Sequence, residues 1–123
     1  GDYSHLSGYV AVKQLMEQVP DMDGLFCGND QMALGALQAA KEAGKSSLKI
    51  YGVDGSPEMK SELTDEKSMI AGTGAQSPIN VGKQAAKIGE AILNDEDYEK
   101  TTYIDTFFIG KDNVEMYGTN GWQ

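Results

Sequence analysis

Arginine is absent from this sequence, and its ten lysines face nineteen carboxylates, giving a formal charge of −9. Such a surface cannot neutralise phosphates and release their counterions, which argues against a nucleic acid partner; the acidity itself reads as solubility. Cysteine is nearly absent as well. Cys27 stands alone, so an internal disulfide is excluded and a zinc site cannot be built on thiolates. Its setting in the apolar run Leu25-Phe26-Cys27 reads as a small buried hydrophobe. His5 is the one histidine, close to the start, so any Cys–His or Ser–His mechanism would depend on it, and nothing in the sequence supports one. No run approaches the about 20 apolar residues that cross a bilayer. The opening GDYSHLSGYV has neither the basic region nor the apolar core of a secretory signal. The patterns GxGxxG, GxxxxGK[ST] and GxSxG are missing, which removes the commonest nucleotide and hydrolase sites. No cofactor or metal is expected.

What is present alternates. Val10, Leu15, Met16 and Val19 fall near helical spacing and predict a helix over Gly8–Val19, closed by Pro20. Asp23 to Cys27 reads as a short buried strand. An alanine-rich helix follows from Asn29-Asp30, either of which can cap it, and Gly44 stops it. Leu48–Val53 is the next strand, ending at Asp54-Gly55. Ser56-Pro57-Glu58 is a helix start with proline in the first turn. Ser68–Gly74 is a weaker strand, and Ser77-Pro78 opens a helix through Leu93. Asn94–Lys100 is an acidic turn, Thr101–Ile109 reads as a strand, and Val114-Glu115-Met116-Tyr117 as a further short strand. Strands alternating with helices imply an α/β fold, a doubly wound and mostly parallel sheet with helices on both faces. Phe26, Phe107 and Phe108 are expected in its core.

In open α/β sheets ligands sit beyond the C-terminal ends of the strands. There the sequence delivers Asn29 and Asp30, then Asp54, then Gln76 and Ser77. Asn, Asp and Gln serve hydroxyl groups as donors and acceptors, and an ionised carboxylate makes the stronger bonds. Helix capping competes for Asn29, Asp30, Asp54 and Ser77, but Gln76 is a poor cap and Ser56 can relieve Asp54 of that task. The set suits a polyhydroxylated ligand. Acid–base catalysis would require Asp30 and Asp54 to converge, and the chain is read as a non-enzyme. Tyr3, Tyr9 or Trp122 could stack on a sugar ring, but Trp122 lies near the end of the sequence and is not counted among the expected site residues.

The runs DGLFCGNDQMALGALQAAKEAGK, IYGVDGSPE and AGTGAQSPINVGKQAAK, in this order and spacing, resemble the C-terminal part of the type I periplasmic sugar-binding proteins, in the ribose-binding-like branch of ABC transporter solute receptors. The resemblance implies two α/β lobes that close on a monosaccharide or polyol, with Asn29 and Asp54 bonding its hydroxyls and Gln76 at the hinge, where it also reaches the sugar. It further implies that residues 1–75 belong to the C-terminal lobe, that 76–105 cross to the other lobe, and that 106–123 form the return strand and tail. An ABC permease would be the partner and an extracytoplasmic site the location. The effector-binding core of a LacI-type repressor and a sugar-sensing receptor input domain share the fold and stay open as alternatives. The chain has less than half the family's expected length, and a sheet cut in this way would leave open edges through which the segment self-associates.

Overall fold

Short apolar runs punctuated by Gly, Pro and Asx residues fold into nine elements, described over residues 1–123 in a computed structural model. They are α1 (His5–Gln18), β1 (Gly24–Phe26), α2 (Asp30–Glu42), β2 (Lys49–Asp54), α3 (Pro57–Leu63), β3 (Ile70–Ala75), α4 (Pro78–Leu93), β4 (Phe107–Gly110) and α5 (Val114–Tyr117). Local chemistry sets most boundaries. The Ser4 hydroxyl accepts from Ser7 N–H, Asn29 Oδ1 from Met32 N–H and the Ser56 hydroxyl from Met59 N–H, each satisfying an orphan donor at a helix start. Gly44, at φ +71°, turns the chain out of α2.

The four strands lie in the order β1-β2-β3-β4. β1, β2 and β3 run parallel, as the alternation of strands and helices requires. β4 runs antiparallel to β3, with Ile109 opposite Thr73. The sequence gives no sign of this reversal, because direction is decided by the end of the sheet at which the chain returns after α4. Residues 101–106, expected to continue that strand, have no pairing partner and are not strand. The expected strand at 114–117 is the helix α5: Asn113 Oδ1 accepts from Gly110 N–H and its amide donates to the Phe108 carbonyl, winding the chain, while Val114 is buried and Tyr117 stacks on Phe107 at 5.1 Å.

The core joins Ala33, Ala36, Leu37 and Ala40 of α2, Met59 and Leu63 of α3, and Ile50, Ile70 and Ile109 of the sheet. Both helices press on one face: a β-carbon built on Gly52 would meet Asp30 of α2 and Met59 of α3. α1 packs on α2 rather than on the sheet. The second face, also expected to carry helices, is open in this chain. Phe26 and Phe108 are expected core residues, yet they lie there 72% and 56% exposed, with Phe108 tilted against Tyr51 at 6.5 Å. α4 has no buried residue and packs closely on no other element, so its apolar Ile79, Val81 and Ile92 face outward.

Candidate functional site

The C-terminal ends of β2 and β3 bring Asp54 and Gln76 side by side. Asp54 pairs with Ala75 in the ladder, its carbonyl accepts from Gln76 N–H, and its Oδ1 accepts from Gln76 Nε2 at 2.9 Å. Asp54 adopts φ +127°, a region almost reserved for glycine, and Gly55 follows at φ +78°. The turn thus aims a strained, half-buried carboxylate past the sheet edge. Burial pushes its carboxyl above the ordinary carboxylate range, and the Gln76 hydrogen bond pulls partly back.

Asp30 holds this turn in place. It is 1% exposed, its Oδ2 accepts from Ser56 N–H at 2.7 Å, and its Oδ1 accepts from the Thr73 hydroxyl at 2.7 Å. Thr73 in turn accepts from Gly55 N–H. One buried carboxylate therefore ties α2, the turn after β2, and β3 together, and its carboxyl is raised by desolvation and by the nearby Asp54 charge. With both oxygens spent inside the protein, Asp30 is no partner for acid–base work with Asp54. From the sequence Asp30 is equally a helix cap or a site residue; its role as the brace of the turn depends on contacts across two strands.

Asn29 stands at the same end of the sheet but outside the Asp54–Gln76 hollow. Its amide is divided between capping α2 and donating to the Tyr3 carbonyl at 3.0 Å. Tyr3 itself lies against Gly28. Tyr9 is far away: its hydroxyl donates to Glu42 at the other end of α2, about twelve residues or roughly 18 Å along the helix. Cys27 is buried, and desolvation pushes its thiol up to about 11, the inert state expected of a core cysteine.

Asp54 and Gln76 line a hollow of about 470 Å³ together with Pro78, Val81 and Gly82 of α4 and with Trp122. A hollow of about 630 Å³ lies at the opposite end of the sheet, among Lys49, Lys67 and Lys111. There the Lys111 ammonium is spent on the backbone carbonyls of Asp65, Glu66 and Ser68. The hollow at the carboxyl ends of β2 and β3 joins the Asp54–Gln76 pair to the indole of Trp122, polar groups beside an aromatic wall, which is the make-up of a small-solute site. No group of three or more metal-ligating side chains converges anywhere in the chain.

A family model described as "Periplasmic binding protein domain" matches residues 2–97. The ribose import binding protein of Escherichia coli K12 is 32% identical over 110 residues, which are 89% of this chain and 36% of that protein. That of Bacillus subtilis is 35% identical over 100 residues, 81% of this chain and 32% of its own. An ABC transporter solute binding protein from Agrobacterium vitis, solved with bound allitol, superposes with a TM-score of 0.84 at 28% identity, covering 92% of this chain and 40% of its own. A fold match comes from an Actinobacillus succinogenes solute binding protein with bound D-allose, at TM-score 0.89, 21% identity, and 94% and 41% coverage. The chain thus spans little more than a third of the length of these relatives.

Proposed function

The chain belongs to the periplasmic binding protein domain family, and we propose that its full-length gene product binds a monosaccharide or similar polyol, without catalysis, as the solute receptor of an ABC transporter. The observation that carries this reading is the strained Asp54 paired with Gln76 at the carboxyl ends of β2 and β3, beside a hollow with an aromatic wall. The pair offers an anionic acceptor and an amide, the equipment for hydroxyl groups, and no nucleophile–base pair for chemistry. Relatives support the ligand class: they include ribose import binding proteins, a xylitol-binding protein and a D-allose-binding periplasmic protein. In this reading Asn29 joins the site once a ligand competes for its amide. An extracytoplasmic location and a permease partner follow from the relatives' role in transport.

The unburied helix α4 and the open Phe26–Phe108 face support the assignment of residues 1–75 to one lobe and 76–105 to contacts outside it, with 106–123 returning as β4 and the tail. They also support self-association of the 123-residue chain on its own; a monomer mass by light scattering at high concentration would contradict it.

A thermal-shift screen of the full-length gene product against pentoses, hexoses and polyols tests the function. A ligand that binds only the folded state raises stability by about 4 kcal/mol at a thousandfold excess over Kd. The expected result is a clear shift with one or a few of these ligands. No shift with any of them would remove the sugar-receptor reading.

A further inference from the structure

Trp122 is the sole tryptophan of the sequence, and it sits in the irregular segment after α5. It does not hang loose. The fully buried Lys60 of α3 donates to the Gly121 carbonyl at 2.7 Å and to Gln123 Oε1 at 2.8 Å. The Ser77 hydroxyl, next to Gln76, donates to the Gln123 carbonyl at 2.7 Å, and the Gln123 amide donates to the Tyr117 carbonyl at 2.9 Å. Both neighbours of Trp122 are thus tied to α3, the helix that follows the Asp54 turn, and Gln123 is tied also to Ser77, the residue after Gln76. The indole between them stays 44% exposed and lines the same hollow.

We propose that Trp122 is the stacking wall of the Asp54–Gln76 hollow and selects sugars in ring form over open-chain polyols, an inference that rests on the sugar-receptor reading. The polar pair takes hydroxyl groups. The indole face, with its negative quadrupole, takes polarised C–H groups. A sugar ring holds several C–H groups fixed on one side. An open chain must freeze its torsions to offer the same face, and that ordering costs affinity. Lys60 acts as a positioning residue, holding the tail that holds the indole. The rival account is that Trp122 only covers Pro78 and Val81 at the start of α4, in which case its removal would not distinguish one ligand shape from another.

The test is calorimetric titration of the full-length gene product with two matched pairs, D-ribose with ribitol and D-allose with allitol. Wild type is expected to prefer the ring member of a pair. Trp122→Ala should weaken ring-sugar binding by about tenfold or more and polyol binding much less, so that the preference collapses. Trp122→Phe should restore most of it. Lys60→Met, which keeps the stem but frees the tail, should give the same collapse and add little in a Trp122→Ala background. The emission of Trp122, isolated as the wild-type minus Trp122→Phe difference, should change on saturation with the ring sugar. A ring-to-polyol ratio unchanged by Trp122→Ala and Lys60→Met overturns the inference while leaving the receptor reading intact. Unchanged Trp122 emission overturns it even if the alanine variant fails to fold. Wild type that binds neither these four nor any pentose, hexose or polyol of the thermal-shift panel removes the receptor reading and this inference with it.

Discussion

Asp54→Ala in the full-length gene product is expected to weaken sugar binding by roughly 30- to 1,000-fold, the equivalent of about 2–4 kcal/mol, because buried hydroxyls lose a charged acceptor. Asp54→Gly sharpens the expectation. At φ +127° a glycine relieves strain that costs of order 1–3 kcal/mol, so this variant should unfold in urea no earlier than wild type while binding as poorly as the alanine variant. Stability held and affinity lost is the signature of a residue strained for function. Since the carboxyl lies above its ordinary range, binding should also fade on acidification, starting at a higher pH than an unperturbed aspartate would give. Lys83→Ala, exposed on α4 and outside the hollow, serves as the neutral control. Wild-type affinity in Asp54→Ala, measured by calorimetry, would remove Asp54 from the site.

Gly35→Ala should be the most damaging small substitution in the scaffold. α1 and α2 cross with almost no space between their backbones. A β-carbon on Gly35 would strike the His5 carbonyl and come within 2.8 Å of Tyr9 N, while one on Gly8 would meet the backbone of Met32. Backbone cannot move aside as a side chain can, so the helices must separate and lose contacts along their length. Overpacking of this kind costs typically 1–3 kcal/mol, and we expect at least about 2 kcal/mol despite alanine's better helix propensity. The same substitution at Gly89 of α4, where nothing lies within 4 Å, should be neutral or slightly stabilising. Equal urea midpoints for the two variants would contradict the close crossing.

Local chemistry made much of this legible in advance. Ser56-Pro57 starts α3, Asn29 caps α2, and Asp54-Gly55 ends β2, because each depends on neighbours within a few residues. The convergence of Asp54 and Gln76 followed from the rule that parallel strands present their carboxyl ends to one edge. What depended on distant partners was not legible. The antiparallel course of β4 is set by the path of the chain after α4. The exposure of Phe26 and Phe108 is set by an uncovered face, since an apolar side chain does not reveal whether anything lies over it. The anchoring of Trp122 depends on Lys60, sixty-one residues from Gly121, and nothing in Thr119-Asn120-Gly121-Trp122-Gln123 announces it. Asn29 shows a third case: its cap was readable, but the Tyr3 carbonyl that occupies its other group was not.

The most direct test of the central claim is the thermal-shift screen run on the full-length wild type and Asp54→Ala side by side. The account predicts that a sugar or polyol raises the unfolding temperature of wild type and leaves that of Asp54→Ala nearly unmoved at the same concentration. A shift of equal size in both proteins would contradict the site. No shift in either, across the whole panel, would contradict the function.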